Sequence, residues 1–175
     1  MASLLCMLET YQTFLTGLLG FAGVIITMIV NAKLQRDSQS RQMDHEANAI
    51  RVAIKSELIA NKNAYENRIQ QFDKHSDFSH ALVPINTIDS VFKSLQNKIG
   101  LLTETELENI FNAYLLIQDL PYRTIIYAGT DAVGGLNNDF IKLDKEQQTV
   151  VSDMHRNFLL DIERAIQSID DSASR

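Results

Sequence analysis

From Thr10 to Ala32 the chain runs for 23 positions without a side chain charged at neutral pH, and the centre of that run reads FLTGLLGFAGVIITMIV. Coiled as an α-helix it would be roughly 35 Å long, enough for a hydrocarbon core of roughly 30 Å. A core helix of a soluble domain would carry a charged face, and this run has none. A secretory signal would open on basic residues and hold a shorter apolar stretch of about 7–15 residues. Val30-Asn31-Ala32 imitates a cleavage site, but the only charged side chain before it is Glu9. The pattern predicts a short extracytoplasmic N-terminus over 1–10 and a transmembrane helix over 11–32.

Beyond Ala32 apolar positions recur at helical spacing. Met43, Ala47, Ile50, Ile54, Leu58, Tyr65, Ile69 and Phe72 follow steps of three, four or seven, and Arg51, Lys55, Lys62 and Glu66 take the other sides. A long juxtamembrane helix over 33–72 is expected, continuous with the span and open to a break at the polar patch around Ser38 and Ser40. Pro84 makes 73–86 a connection. Asn86 or Thr87 is positioned to cap a short helix over IDSVFKSLQNKI that stops at Gly100. Thr103 with Glu106 forms a capping box for a helix through Leu120, with Leu107, Ile110, Phe111, Tyr114, Leu115 and Ile117 on its buried side. Pro121 should end or kink it, with a separate short helix over Tyr122–Ala128.

Gly134 to Asn138 reads as a loop. A last helix from about Lys145 to Ile169 carries Val151, Met154, Phe158, Ile162, Ala165 and Ile169, and 170–175 is a fraying tail. No stretch sustains period-2 alternation, so no strand is expected. The class is all-α: one N-terminal transmembrane helix continuing into a helical bundle over 87–169.

The transmembrane run has a face of its own. At about 100° per residue, Thr13, Thr16, Gly17, Gly20, Gly23 and Thr27 fall within an arc of roughly 120°, opposite Leu15, Leu18, Ile25, Ile26 and Ile29. Membrane helices associate by close approach of small residues, assisted by hydroxyl hydrogen bonds. The stripe is therefore a candidate packing face for a second copy of the chain or for a partner membrane protein.

Composition adds little to that reading and charge adds direction. With 175 residues, 45% hydrophobic and 22% charged, the chain is neither collagen-like, low-complexity nor wholly disordered. All 16 Lys and Arg lie at position 33 or later. Lys33, Arg36 and Arg41 directly after the span place that side in the cytoplasm and the N-terminus outside. Residues 33–100 hold ten basic and eight acidic groups, and 101–175 hold six and thirteen. The near-neutral part thus leaves an anionic bilayer surface and the acidic part lies distal. With no basic stripe, nucleic acid is not an expected partner.

Candidate chemistry is sparse. There is no Gly-rich phosphate loop, dinucleotide fingerprint, nucleophile elbow or paired-histidine zinc motif. Cys6 is the single cysteine, which precludes an intramolecular disulfide or a cysteine-based zinc cluster, and interfacial packing is its expected role. Asp73, His75, Asp77 and His80 have ligand chemistry, but a solvated connection uses the same residue types, and a solvated connection is expected. His45 and His155 are expected on helix surfaces. No catalytic residue, cofactor site or metal site is assigned, and no small-molecule substrate is identified.

The order of a short N-terminal span, the helix SELIANKNAYENRI and the segment IGLLTETELENIFNAYLLI resembles a broad group of uncharacterised bacterial single-pass membrane proteins with a helical cytoplasmic domain. The likeness covers about Phe14 to Leu120 and rests on helix caps and apolar spacing. It implies a bacterial inner-membrane address and no activity. The expected function is a non-catalytic interaction or scaffold subunit that assembles through the Gly/Thr face and the helical domain. The alternative is a membrane effector whose associated spans perturb the bilayer on a cytoplasmic signal.

Overall fold

In the computed structural model, residues 2–74, 79–128 and 140–173 are described, without the side chains of residues 2–10 and 13. Among them the order is α1 (Ala2–Lys74), β1 (His80–Pro84), α2 (Ser90–Leu95), a 3-10 turn (Ile99–Leu101), α3 (Glu104–Ala128), β2 (Phe140–Asp144) and α4 (Lys145–Ala173). The protein is all-α with one small sheet. It divides into two units, Met1–His45 and Glu46–Arg175.

Helix α1 passes through Ser38 and Ser40 without interruption. No Gly or Pro lies between Val24 and Val83, and serine in a helix costs less than about 1 kcal/mol relative to alanine. The polar patch therefore has nothing that breaks a helix. Every described side chain from Tyr11 to His45 is exposed. Within Phe14–Lys74, α1 is long and apolar enough to cross a membrane, and none of its apolar window is buried.

In the second unit the expected face of α1 is buried from Ala47 through Ile50, Ile54, Leu58, Tyr65 and Ile69, while Met43 remains 50% exposed. These residues join one core with Ile110, Tyr114 and Ile117 of α3 and with Phe158, Ile162 and Ile169 of α4. Helix α4 presents the spacing expected of it and ends at Ala173, beyond Ile169.

Three local expectations are corrected. Helix α3 does not stop at Pro121 but runs to Ala128, so Tyr122–Ala128 is its last part and not a separate helix. Leu120 and Thr124 are buried on either side of the proline, and Ile125 and Ala128 pack on the second apolar cluster. That burial outweighs a lost hydrogen bond worth about 3 kcal/mol with the ring clash. The buried stripe of α3 is Ile110, Ala113, Tyr114, Ile117, Leu120 and Thr124, whereas Phe111 and Leu115 are 42% and 62% exposed. They lie about 100–140° around the helix from Ile110.

The short helix is six residues, Ser90–Leu95, and neither Asn86 nor Thr87 caps it. Gly100 sits inside the 3-10 turn, which the Leu102 N–H closes on the Ile99 carbonyl at 3.0 Å.

The sheet was not expected. β1 and β2 pair antiparallel with His80 opposite Asp144 and Pro84 opposite Phe140. Ile141 and Leu143 point into a second apolar cluster with Val83 and Val151, and Lys142 and Asp144 point out. Five residues are too few for periodicity to separate a strand from a loop. Asp144 then caps α4. Its Oδ1 accepts from Gln147 N and its own N–H donates to Gln147 Oε1, both at 2.9 Å.

Candidate functional site

The first unit offers a surface. Thr16, Gly17, Gly20, Gly23 and Thr27 are all exposed, and a Cβ on any of the three glycines would meet no atom within 4 Å. The side chain of Thr13 lies outside the described residues, as does that of Cys6. Thr16 Oγ1 donates to the Gln12 carbonyl and Thr27 Oγ1 to the Gly23 carbonyl, each at 2.8 Å. A hydroxyl has one proton. Both threonines use theirs inside the helix, which leaves them only lone pairs and methyl groups to offer a neighbour.

The second unit holds buried polar groups with contacts that spacing does not reveal. Glu57 is 5% exposed on α1 and takes over the N-terminus of α2. Its carboxylate accepts from Val91 N at 2.7 Å, Phe92 N at 2.9 Å and the Tyr114 hydroxyl at 2.7 Å. A carboxylate there satisfies orphan donors and meets the positive end of the helix dipole. Burial, then the bond to Glu57, pushes the Tyr114 phenol well above its ordinary range. Asn61, one turn further along α1, donates to the Ile88 carbonyl at 2.6 Å and anchors the same connection.

Glu106 caps its own helix as expected, accepting from Thr103 N at 2.8 Å. It also receives a two-pronged contact from Arg51, with Nε at 2.6 Å and Nη2 at 3.0 Å. Burial pushes the Glu106 carboxyl up, but Arg51 and the Thr103 N–H and O–H outweigh it and hold it below the usual carboxylate range. Both groups are thus satisfied by structural roles.

His155 is not on a surface. It is fully buried on α4, edge-on to Tyr65 with ring centroids 4.8 Å apart. A helix places residue 155 one turn from Val151 and in line with Phe158 and Ile162, so the apolar stripe carries the imidazole inward. Its Nδ1 lies 2.6 Å from the Val151 carbonyl and its Nε2 lies 3.0 Å from Arg68 Nη1. A carbonyl only accepts, so Nδ1 carries the proton and Nε2 accepts from the guanidinium. Burial, with the Arg68 charge beside it, lowers the imidazole to about 4. Burial likewise lowers Arg68.

Arg68 lies on the wall of an open groove of about 430 Å³ between α1 and β1. Asn67, Gln71, His80 and Gln148 supply its other polar lining, and Phe72, Leu82 and Pro84 are apolar.

Of the four residues in the connection, His75 and Asp77 lie outside the described residues. Asp73 accepts from Arg156 Nη2 at 3.2 Å, and His80 Nδ1 lies 2.9 Å from Ser79 Oγ. Among the described residues no group of three or more His, Cys, Asp or Glu is placed to hold a metal. The Gly134–Asn138 segment is also outside the described residues.

The sequence contained a signal for one missed feature, the Asp144-Lys145-Glu146-Gln147 capping pattern. The place of His155 on the stripe of Val151, Phe158 and Ile162 is legible as well, but for Glu57 and for the pairing of Arg68 with His155 the sequence holds no signal, because the partners lie 34 and 87 positions apart along the chain. No family model matches the chain, and neither the curated proteins nor the solved structures compared with it give a match.

Proposed function

We propose that the chain is a non-catalytic, single-pass membrane interaction subunit, and that it assembles through its Gly/Thr face as well as its helical unit. The observation that carries this reading is the charge-free stretch from Thr10 to Ala32, fully exposed wherever its side chains are described, with three glycines open to approach. An exposed apolar surface of that length calls for lipid or protein to cover it. Lys33, Arg36 and Arg41 favour a cytoplasmic Glu46–Arg175 unit and an external N-terminus. The resemblance to bacterial single-pass proteins supports an inner-membrane location. The absorption of Glu57, Arg51 and Glu106 into helix caps supports a structural use of these polar groups.

Close approach of backbones drives the assembly, and the threonine hydroxyls contribute little because their protons are already engaged. Gly20→Leu and Gly23→Ile are expected to weaken detergent-resistant assembly and disulfide cross-linking along the span, while Ile25→Leu leaves both unchanged. Thr16→Val and Thr27→Val should have the smaller effect, well below about 2 kcal/mol. Equal assembly in the wild type and both glycine variants would reduce the helix to a lipid anchor.

A further inference from the structure

We propose that the groove between α1 and β1 binds a small molecule through an oxyanion, carboxylate or phosphate, held by the Arg68 guanidinium. The charge distribution of the second unit singles this residue out. Among its described arginines, Arg51, Arg123, Arg156 and Arg164 each contact a carboxylate. Arg68 does not. Its contacts among the described residues are the neutral Nε2 of His155 at 3.0 Å and the face of Tyr65, 5.9 Å from its carbon centre. A half-buried guanidinium that meets no counter-charge among the described residues has given up part of its hydration without an ionic partner there in return.

His155 fixes the fork without neutralising it. Its Nδ1–H is tied to the Val151 carbonyl, so Nε2 can accept from one Arg68 nitrogen only. Arginine has five N–H donors, and those not used on His155 have no partner among the described residues. A planar fork of this kind matches a carboxylate or a phosphate in two-pronged geometry.

The groove wall continues the same chemistry. Asn67, Gln71, His80 and Gln148 line it, and among the described residues no Asp or Glu does, although the chain as a whole carries a net charge of −6. An acidic protein repels anions in general. Here the permanent charge that the described residues bring to the groove is positive. The volume, about 430 Å³, lies within the range of about 300–1,000 Å³ usual for small-molecule sites. It exceeds what a bare inorganic ion would fill. Phe72, Leu82 and Pro84 give the remainder an apolar wall. The ligand class is therefore an anion with an apolar body.

The test uses the full-length chain in detergent micelles, with phenyl phosphate and benzoate as the anionic probes. Benzamide serves as the neutral control, and empty micelles correct for partitioning. Saturable binding of one or both anions, and none of benzamide, is expected. Binding of phenyl phosphate alone assigns a phosphate ligand, of benzoate alone a carboxylate, and of both the shared oxyanion site. Arg68→Gln should weaken binding by about tenfold or more, the loss expected on deleting a charge-assisted pair. Leu82→Trp is expected to block binding by filling the groove from β1, where Leu82 is 59% exposed and its replacement disturbs no core contact. That variant decides the matter if Arg68→Gln does not fold. Absence of saturable binding by either anion, or binding unaffected by the variants that fold, would overturn the proposal. Either result is independent of how the transmembrane face assembles.

Discussion

Acidification from neutral pH should destabilise this protein, and His155 is the reason. In the folded chain its imidazole is lowered to about 4, first by burial and then by the charge of Arg68. In the unfolded chain it returns to about 6.5. Between those values the unfolded state binds the extra proton, so stability is intact above about pH 6.5 and falls as the pH drops towards about 4. Moving from about pH 7 to about pH 5 removes about 2 kcal/mol, and the full loss is about 3 kcal/mol. Against a total of about 5–15 kcal/mol for a typical domain, that is a large share.

Glu106 does not confound the measurement. Its carboxyl is held low in the fold, so its stabilisation is lost as the pH falls from about 4.3, the unfolded value, through the folded one, beneath the interval from about pH 7 to about pH 5. The assay is urea unfolding of the full chain in detergent, read by the near-ultraviolet dichroism of the buried Tyr65 and Tyr114 at a series of pH values. His155→Gln keeps an acceptor for Arg68 and a donor for the Val151 carbonyl but cannot take up a proton. The variant should be less stable at neutral pH and should lose the wild-type slope between about pH 7 and about pH 5. An unchanged slope in His155→Gln would refute the buried, neutral imidazole.

Two further outcomes follow from single contacts. Glu57→Ala leaves the Val91 and Phe92 N–H groups and the Tyr114 hydroxyl without their partner. It should cost about 3–5 kcal/mol, and Glu57→Gln about 1–3 kcal/mol, in urea titrations; a loss under about 1 kcal/mol would remove Glu57 as the cap of α2. For orientation, the topology proposed from Lys33, Arg36 and Arg41 predicts that an alkaline phosphatase fused after Arg175 is inactive and a fluorescent protein at the same site bright. An active phosphatase would invert the topology.

The features legible in the sequence are those governed by near neighbours along the chain. Helix periodicity is a local property, so the faces of α1 and α4 and the Thr103–Glu106 cap could be read from spacing alone. A charge-free stretch is local too, because consecutive residues alone define it. Where the expectation failed, a distant segment outweighed the local preference. Pro121 should stop a helix, but apolar burial on both sides of it continues α3 to Ala128. Asn86 and Thr87 are good caps by type, yet the N-terminus of α2 is met by Glu57 from another helix. FIKLD becomes a strand because HALVP lies beside it, with Ile141 and Leu143 turned inward. The same holds for the candidate ligand site. Asn67, Arg68 and Gln71 read as polar helix positions, and Pro84 as a break. Only packing of α1, β1 and α4 places Arg68 against a neutral histidine instead of an acid. Spacing along the chain specifies which side of an element a residue occupies, whereas the charge and polarity it meets are set by segments whose order of assembly no local pattern encodes.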